Sequence, residues 1–189
     1  ICPGMERTKF ARADLSGAYV HAFAAQVCDF SGADLSRLVD ATGSLFHGCN
    51  LSDARLDGAA IAGTAFYQCA LDGASFADSK LQGATINECT LTGVDFGRAL
   101  VSQLTITKSL MTDASFARAS GEGVVLQRLT GADGLDLRDA HLPSLRLDSI
   151  KAAKVKADNL GAPGADIRAC ELNGARLRNA ALETSRWVA

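Results

Sequence analysis

The sequence predicts a solenoid built from a five-residue repeat, and three observations support this fold class. Large apolar residues recur at every fifth position along almost the whole chain. A small residue stands two positions before most of them, and polar residues and Gly follow. Where the large residue shrinks to Ala, the residue two positions earlier grows. Neither the period of a helix nor that of a single strand gives this spacing, whereas a chain coiling around one continuous core does.

The repeat keeps its register in three blocks. We call the large apolar residue the centre, and the residue two places before it the small position. Centres fall at every fifth residue from 10 to 35, from 41 to 126 and from 132 to 187. The shift between blocks predicts one single-residue insertion within 36–45 and another within 127–136, each accommodated as a bulge or loop at a corner.

Paired interior positions exchange volume, as a close-packed core requires. In each such pair a large residue at the small position stands two places before an Ala centre. The pairs are Phe23 with Ala25, Val39 with Ala41, Ile150 with Ala152, Val155 with Ala157, and Leu160 with Ala162. The centre Gly121 is preceded by Ala119 and has no such compensation. We therefore expect a local irregularity at Gly121.

This pattern resembles the pentapeptide repeat family, whose motif runs small residue, Asp or Asn, Leu or Phe, polar residue, Gly. Good copies of the motif lie at residues 33–36, 49–52, 74–77 and 94–97, and the resemblance covers about residues 10–187. It implies an all-β, right-handed quadrilateral β-helix. Four corners make one coil, and about nine coils would stack with a rise of about 4.8 Å each.

The resemblance also suggests a domain organisation. Residues 10–189 would form a single β-helix, and residues 1–9, with Pro3 and several charged side chains, an N-terminal cap or linker. The chain starts without an initiator Met or a signal-peptide pattern, so we expect either a fragment, such as one domain of a larger chain, or a processed product. At the other end no cap follows Trp187. We expect a partner, a second copy of the chain or further residues to cover the C-terminal end, because a bare β-helix end leaves backbone groups unpaired.

Composition excludes several classes of protein. The net charge of -2 is too small to favour direct binding of nucleic acid, and no apolar run approaches the roughly 20 residues of a membrane span. No phosphate-cradling Gly loop is present, and the three His residues stand apart from any plausible catalytic set. The sequence thus predicts a protein that is not an enzyme and needs no cofactor.

The cysteines form a ladder. Cys28, Cys49, Cys69 and Cys89 occupy small positions about one coil apart. Stacked thiols can bind zinc or undergo redox chemistry, but no His shares this column and its neighbours are apolar. Cys as a small buried hydrophobe explains the ladder better. Free thiols favour a reducing compartment, so we predict a cytoplasmic protein.

Aromatic and basic residues also recur from coil to coil. Phe76, Phe96 and Phe116 are centres on one side and predict an interior ladder that packs the core. An outward basic stripe on the same side is the candidate binding surface, and it comprises Arg98, Arg118, Arg138, Lys156, Arg176 and Arg178. Such a stripe can bind phosphates or an acidic partner, although nearby Asp residues can also neutralise it as an ordinary solvated face.

Three functions remain open at this stage. The first is a protein-binding scaffold that presents rigid faces to a partner. The second comes from the resemblance, because some family members interact with DNA gyrase and protect it from quinolones by imitating the DNA duplex. The near-neutral charge and the absence of a C-terminal dimerising helix argue against this second function. The third is a segment of a secretion-system effector or accessory protein.

Overall fold

The computed structural model describes residues 4–188. Within that range the chain folds into twelve three-residue strands, and no helix is long and apolar enough to cross a membrane. The strands are β1 Gly4–Glu6, β2 Ala24–Gln26, β3 Leu45–His47, β4 Ala65–Tyr67, β5 Thr85–Asn87, β6 Thr105–Thr107, β7 Val125–Gln127, β8 Arg146–Asp148, β9 Lys151–Ala153, β10 Asp166–Arg168, β11 Glu171–Asn173 and β12 Arg186–Val188.

All strand pairs are parallel, and they stack coil upon coil. Ten strands form one sheet in the order β1-β2-β3-β4-β5-β6-β7-β8-β10-β12, and β9 pairs with β11 in a second sheet. The other walls are held by single bridges between equivalent residues of successive coils. These features confirm the all-β quadrilateral β-helix of about nine coils.

The four walls are named here by their centres. Face A carries the ten-stranded sheet, and face B carries β9 and β11. Face C has Phe76, Phe96 and Phe116 as centres, and face D has Leu81, Val101 and Gly121. The centres and small positions along the interior are almost all buried and form one continuous apolar core.

The polar positions of the repeat shape the corners. A carboxylate or amide one place before the centre accepts a hydrogen bond from the backbone N–H two residues later, as Asp29 does from Ser31 at 3.0 Å and Asp34 from Ser36 at 2.9 Å. This Asx-type bond bends the chain locally and explains the Asp or Asn of the repeat. The residue at the next corner position has a positive φ, which Gly adopts without steric cost.

The structure places the first insertion more narrowly than the sequence does. Asp14 pairs with Asp34, whereas Tyr19 pairs with Asp40, so the extra residue lies between 34 and 40. Leu38 is buried with 2% of its surface exposed, and Val39 is 61% exposed. The prediction that Val39 fills the space beside Ala41 was therefore wrong. Leu38 fills it, because the chain bulges outward after Leu38 and carries Val39 to the surface.

The second insertion follows the same rule. Leu110 pairs with Thr130, whereas Ser115 pairs with Asp136. Leu129 is buried beside the Ala132 centre, and Gly131 lies on the surface as the extra residue. The remaining pairs, such as Phe23 with Ala25 and Leu160 with Ala162, are buried together as the exchange of volume predicts.

Gly121 is irregular for a backbone reason. Its φ is +155°, unlike the corner glycines, and a Cβ atom built on it would lie 2.3 Å from the Ser102 nitrogen. The coil below thus approaches the Gly121 backbone so closely that no side chain fits. The predicted local irregularity is present, and Gly is required there.

The N-terminal segment begins the solenoid earlier than the sequence suggests. Of the predicted cap or linker over residues 1–9, residues 1–3 lie outside the described range. Strand β1 pairs in register with β2, and Met5 packs against the core as the first centre of face A. Residues 4–9 are therefore part of the first coil, because Met5 continues the five-residue register one step before residue 10.

Candidate binding surfaces

Face C carries a groove lined by arginines. A surface depression of about 250 Å³ lies among Arg98, Arg118 and Arg138. Its floor includes Gly97, which has no side chain, and Ala117, which has only a methyl group, so room is left between the guanidinium groups. We call these five residues, with Asp95, Ser115 and Asp139 at the rim, the arginine groove. The repeat itself builds it, because Gly97 and Ala117 follow the Phe96 and Phe116 centres on successive coils.

The three arginines do not form one straight line. Arg98 and Arg118 are the positive-φ corner residues of successive coils, and the corresponding residue of the next coil is Asp139. Arg138 lies one position earlier, beside the equivalents Gly97 and Ala117. The second insertion causes this offset. The predicted stripe is therefore a staggered cluster at the groove.

Ion pairs hold two of the three arginines. Arg98 donates two hydrogen bonds to Asp78, at 2.8 and 2.7 Å, which lower the pKa of Asp78 and raise that of Arg98. Arg138 donates to Asp136, its Nη2 lying 2.6 Å from Oδ2. Burial would raise the pKa of Asp136, but the bonds from Arg138 outweigh it, and the pKa is lowered.

Arg118 differs from its two neighbours. No described carboxylate forms an ion pair with it, so its guanidinium keeps all its hydrogen-bonding capacity for a ligand. Arg98 and Arg138 flank it, and each forms an ion pair with an Asp side chain. The groove thus offers one free and two oriented guanidinium groups to an acidic group from outside.

The rest of the predicted stripe lies further along face C. Lys156 and Arg176 pair as equivalent residues just before their centres, while Arg178 follows its centre. Arg176 forms an ion pair with Asp158 at 2.9 Å, and the Arg178 backbone N–H donates to the same carboxylate. None of the three lines the arginine groove, so the structure separates them from Arg98, Arg118 and Arg138.

The cysteine ladder lies in the interior. Cys28, Cys49, Cys69 and Cys89 are buried and free, and the Cys69 thiol donates to the Phe46 carbonyl of the coil below. Thiol contacts with Cys49 and Cys89, together with burial, raise the pKa of Cys69. Ser109 continues the column and accepts the Cys89 N–H at 3.2 Å. Among residues 4–188, no group of three His, Cys, Asp or Glu is arranged to hold a metal ion.

The phenylalanines stack as an interior ladder. Phe76 and Phe96 have ring centroids 5.1 Å apart, and Phe96 and Phe116 are 4.7 Å apart, in stacked geometry. Phe66 on face A meets Phe76 edge to face at 5.8 Å. All four rings are fully buried, so they pack the core.

The last described coil exposes apolar side chains. Trp187 is 54% exposed and Leu177 is 42% exposed, although both are centres of the repeat. That something covers this end, whether a partner, a second copy or further residues, stays a prediction.

Sequence reasoning missed two features of the surface. The floor of the arginine groove, Gly97 and Ala117, was not singled out, although both are unusually small for outward positions on adjacent coils. Nearby Asp residues were expected to neutralise the stripe, but their pairing with particular arginines was not predicted. The pairs Arg98 with Asp78 and Arg138 with Asp136 depend on side-chain conformations that the repeat does not determine.

Comparisons with known proteins agree with this architecture. The family model described as Pentapeptide repeats matches residues 28–66 and 61–98. The solved structure of full-length QnrB1, a plasmid-mediated fluoroquinolone resistance protein, is 22% identical, covers 98% of this chain and 92% of its own, and superposes with a TM-score of 0.69. A trypsin-treated variant of QnrB1 is also 22% identical, covers 99% and 92%, and gives a TM-score of 0.65. At this identity the likeness concerns the fold. Among curated protein sequences, none matches this chain.

The fold and its outward surface define a parallel β-solenoid with an apolar interior and polar walls. The family model matches residues 28–98, and the same five-residue register runs from 10 to 187, so the chain carries pentapeptide repeats.

Proposed function

We propose that this protein is a non-enzymatic scaffold that binds a protein partner through the rigid faces of its β-helix. The observation that carries the proposal is the arginine groove, where unpaired Arg118 stands between two arginines held by ion pairs. Oriented guanidinium groups lose little freedom on binding, so each hydrogen bond that they form contributes more to affinity.

The groove favours an acidic segment of the partner. A carboxylate accepts two parallel hydrogen bonds from one guanidinium, and Arg118 has all its donors free for such a contact. Equivalent residues of successive coils are about 4.8 Å apart, so a second carboxylate can reach Arg98 or Arg138. Asp95 and Asp139 at the rim would repel additional negative charge and so restrict the partner's register.

Reversing the charge of Arg118 tests this proposal. Wild-type protein and an Arg118→Glu variant would each be used to capture proteins from the native host, with quantitative mass spectrometry and salt titration. The control is Arg37→Glu, because Arg37 occupies the same positive-φ corner of face C outside the groove. We expect a partner whose capture is lost with Arg118→Glu, retained with Arg37→Glu and weakened by salt. Capture that is identical for all three proteins would contradict the proposal.

A second candidate function is interaction with DNA gyrase. The observation that favours it is the likeness in fold to QnrB1, which extends over 98% of this chain. QnrB1 is described as a plasmid-mediated fluoroquinolone resistance protein. A supercoiling assay with purified gyrase, with and without a quinolone, tests it. Inhibition of supercoiling or relief from the drug would support this function, and no change in either condition would dismiss it.

We also propose that the protein works in a reducing compartment such as the cytoplasm. The proposal for the compartment is supported by the buried free thiols of the cysteine ladder, which oxidation to bulkier or polar forms would disrupt.

A further inference from the structure

Charged residues on face C are arranged symmetrically about its middle coil, with opposite signs on the two sides. The residues just before the centres of this face bridge to one another from coil to coil. In chain order they are Asp14, Asp34, Arg55, Ser75, Asp95, Ser115, Asp136, Lys156 and Arg176. Asp95 is the middle member. At equal distances from it, Asp14 corresponds to Arg176, Asp34 to Lys156, Arg55 to Asp136, and Ser75 to Ser115. Each charged member on one side thus has a counterpart of opposite sign on the other.

Two neighbouring columns of face C follow the same rule. At the positive-φ corner, Asp78 and Arg118 lie one coil to either side of Arg98. In the column just after the centres, Asp57 and Arg138 lie two coils to either side of that same coil. All three columns therefore reverse their charge about one coil, and we call the coil of Arg98 the middle coil.

A two-fold axis fits this arrangement. It would cross face C at the middle coil, perpendicular to the long axis of the solenoid, and place a second copy antiparallel against the first. Such an axis reverses the order of the coils but keeps each column opposite itself. Asp78 then meets Arg118 of the second copy, and Asp57 meets Arg138 of the second copy, with each contact made twice.

The pattern of signs selects this register over its neighbours. If the second copy moved by one coil in one direction, Asp78 would meet Asp139. If it moved by one coil in the other direction, Asp34 would meet Asp136, and Arg118 would meet a glycine. Like charges in direct opposition disfavour association. Outside the middle coil, the register centred on Arg98 opposes no like charges.

The middle coil itself tolerates the axis, although Asp95 and Arg98 would each meet the same residue of the second copy. Within one chain, the bonds with Asp78 and then the nearby charge of Asp95 raise the pKa of Arg98, so the Arg98 guanidinium and the Asp95 carboxylate lie close together. Two carboxylates and two guanidinium groups therefore neutralise one another across the axis. Gly97 and Ala117 leave room for these side chains at the interface.

We propose that face C binds a second copy of this chain in this antiparallel register. The inference rests on the proposed function, because the arginine groove remains the binding surface and its acidic partner becomes Asp78 and Asp57 of the second copy. Arg118 is exposed and forms no ion pair with a described carboxylate, so it gains a partner without losing one. Asp78 is also exposed, and its carboxylate can accept bonds beyond the two from Arg98.

The association is weak and sensitive to salt. Each exposed ion pair contributes little to affinity, and salt screens it. The complementary charges mainly determine which surface binds and in which register. We therefore expect dimers at high protein concentration that dissociate as the salt concentration rises.

Sedimentation equilibrium of the purified chain alone, at several protein and salt concentrations, measures this association. Arg118→Glu places two carboxylates opposite each other at both symmetry-related contacts, so it should weaken dimerisation about tenfold or more. The matched control is Arg37→Glu, because Arg37 lies at the same corner of face C and would meet the uncharged Asn159 of the second copy. This control should dimerise like the wild type.

A mixture of two variants tests the register itself. Asp78→Arg alone opposes two guanidinium groups, just as Arg118→Glu alone opposes two carboxylates, so each variant should be monomeric where the wild type dimerises. In an equimolar mixture, each altered side chain meets an opposite charge across the axis, and so does each unaltered one. Heterodimers should therefore form about as readily as wild-type dimers. Their formation also shows that both variants are folded.

Three results would overturn the inference. They are a wild-type chain that stays monomeric at low salt, dimerisation of Arg118→Glu as tight as that of the wild type, or a mixture that gains no heterodimer. The purified chain separates this inference from the proposed function. If the wild type is monomeric while its capture of a host protein still depends on Arg118, the inference fails and the proposed function stands. Dimers that depend on Arg118, without capture of other host proteins through it, would support the inference alone.

Discussion

At the scale of single residues, the structure assigns most positions of the repeat a definite physical role. Asp29 and Asp34 close Asx-type bonds, the corner residues adopt positive φ, and the centres fill the core. The sequence could indicate the irregularity at Gly121 because the interior volume was not compensated there. It could not indicate the cause, because the approach of the Ser102 backbone depends on how two coils stack.

Gly121→Ala should destabilise the protein strongly. The added Cβ would lie 2.3 Å from the Ser102 nitrogen and 2.6 Å from the Val101 carbonyl carbon, and backbone atoms cannot move aside cheaply. We expect a loss of about 3 kcal/mol in the free energy of unfolding, measured by urea denaturation. The control is Gly83→Ala, where φ is +69° and no atom lies within 4 Å of the added group. It should cost about 1 kcal/mol, and equal losses would refute the steric explanation.

At the scale of coils and corners, the register predicted the fold but not the fine position of the insertions. Any extra residue within 36–45 gives the same shift of register, so the sequence could not choose Val39 as the exposed one. Burial decides it, since Leu38 fills the interior better than Val39 can from the bulge. The staggering of Arg138 relative to Arg118 follows from the second insertion in the same way.

The stability of the protein depends on pH through Asp136, which lies at the corner of one coil. Its folded pKa is lowered below the ordinary value of about 3.9, so its contribution to stability is present above that value. The contribution is lost as the pH falls through the folded pKa. Asp136→Asn should keep the bond to the Arg138 N–H, as Asn50 bonds to Ser52, while removing the charge.

The measurement is the free energy of unfolding from pH 7 down to pH 2. We expect Asp136→Asn to be less stable by about 1–2 kcal/mol at pH 7 and to approach the wild type at low pH. Asp95→Asn, at the equivalent position two coils earlier, is the control and should change stability less because no arginine pairs with Asp95 among the described ion pairs. If the difference in free energy of unfolding between the wild type and Asp136→Asn does not become smaller as the pH falls, this account is contradicted.

At the scale of the whole molecule, the interior ladders were predictable and the pairs of surface side chains were not. Every buried ladder, from Cys69 to Phe96, follows from the five-residue period because each coil must repeat the contacts of the last. The outward side chains obey no such constraint. The pairing of Arg98 with Asp78, the free state of Arg118 and the arginine groove between them emerge only when the coils are stacked. We therefore propose that function resides where the repeat varies.

The most direct test of this claim is hydrogen exchange of the protein alone and with a partner captured through the arginine groove. The amides of Gly97, Ala117 and Arg138 donate only to side-chain oxygens, so they should exchange faster than ladder amides in the free protein. The equivalent amides of Ser31 and Ser52 on face B are the control. Binding should slow exchange at Gly97, Ala117 and Arg138, on successive coils of face C, and leave face B unchanged. Slowing on face B or at the ends instead, with face C unaffected, would contradict the account.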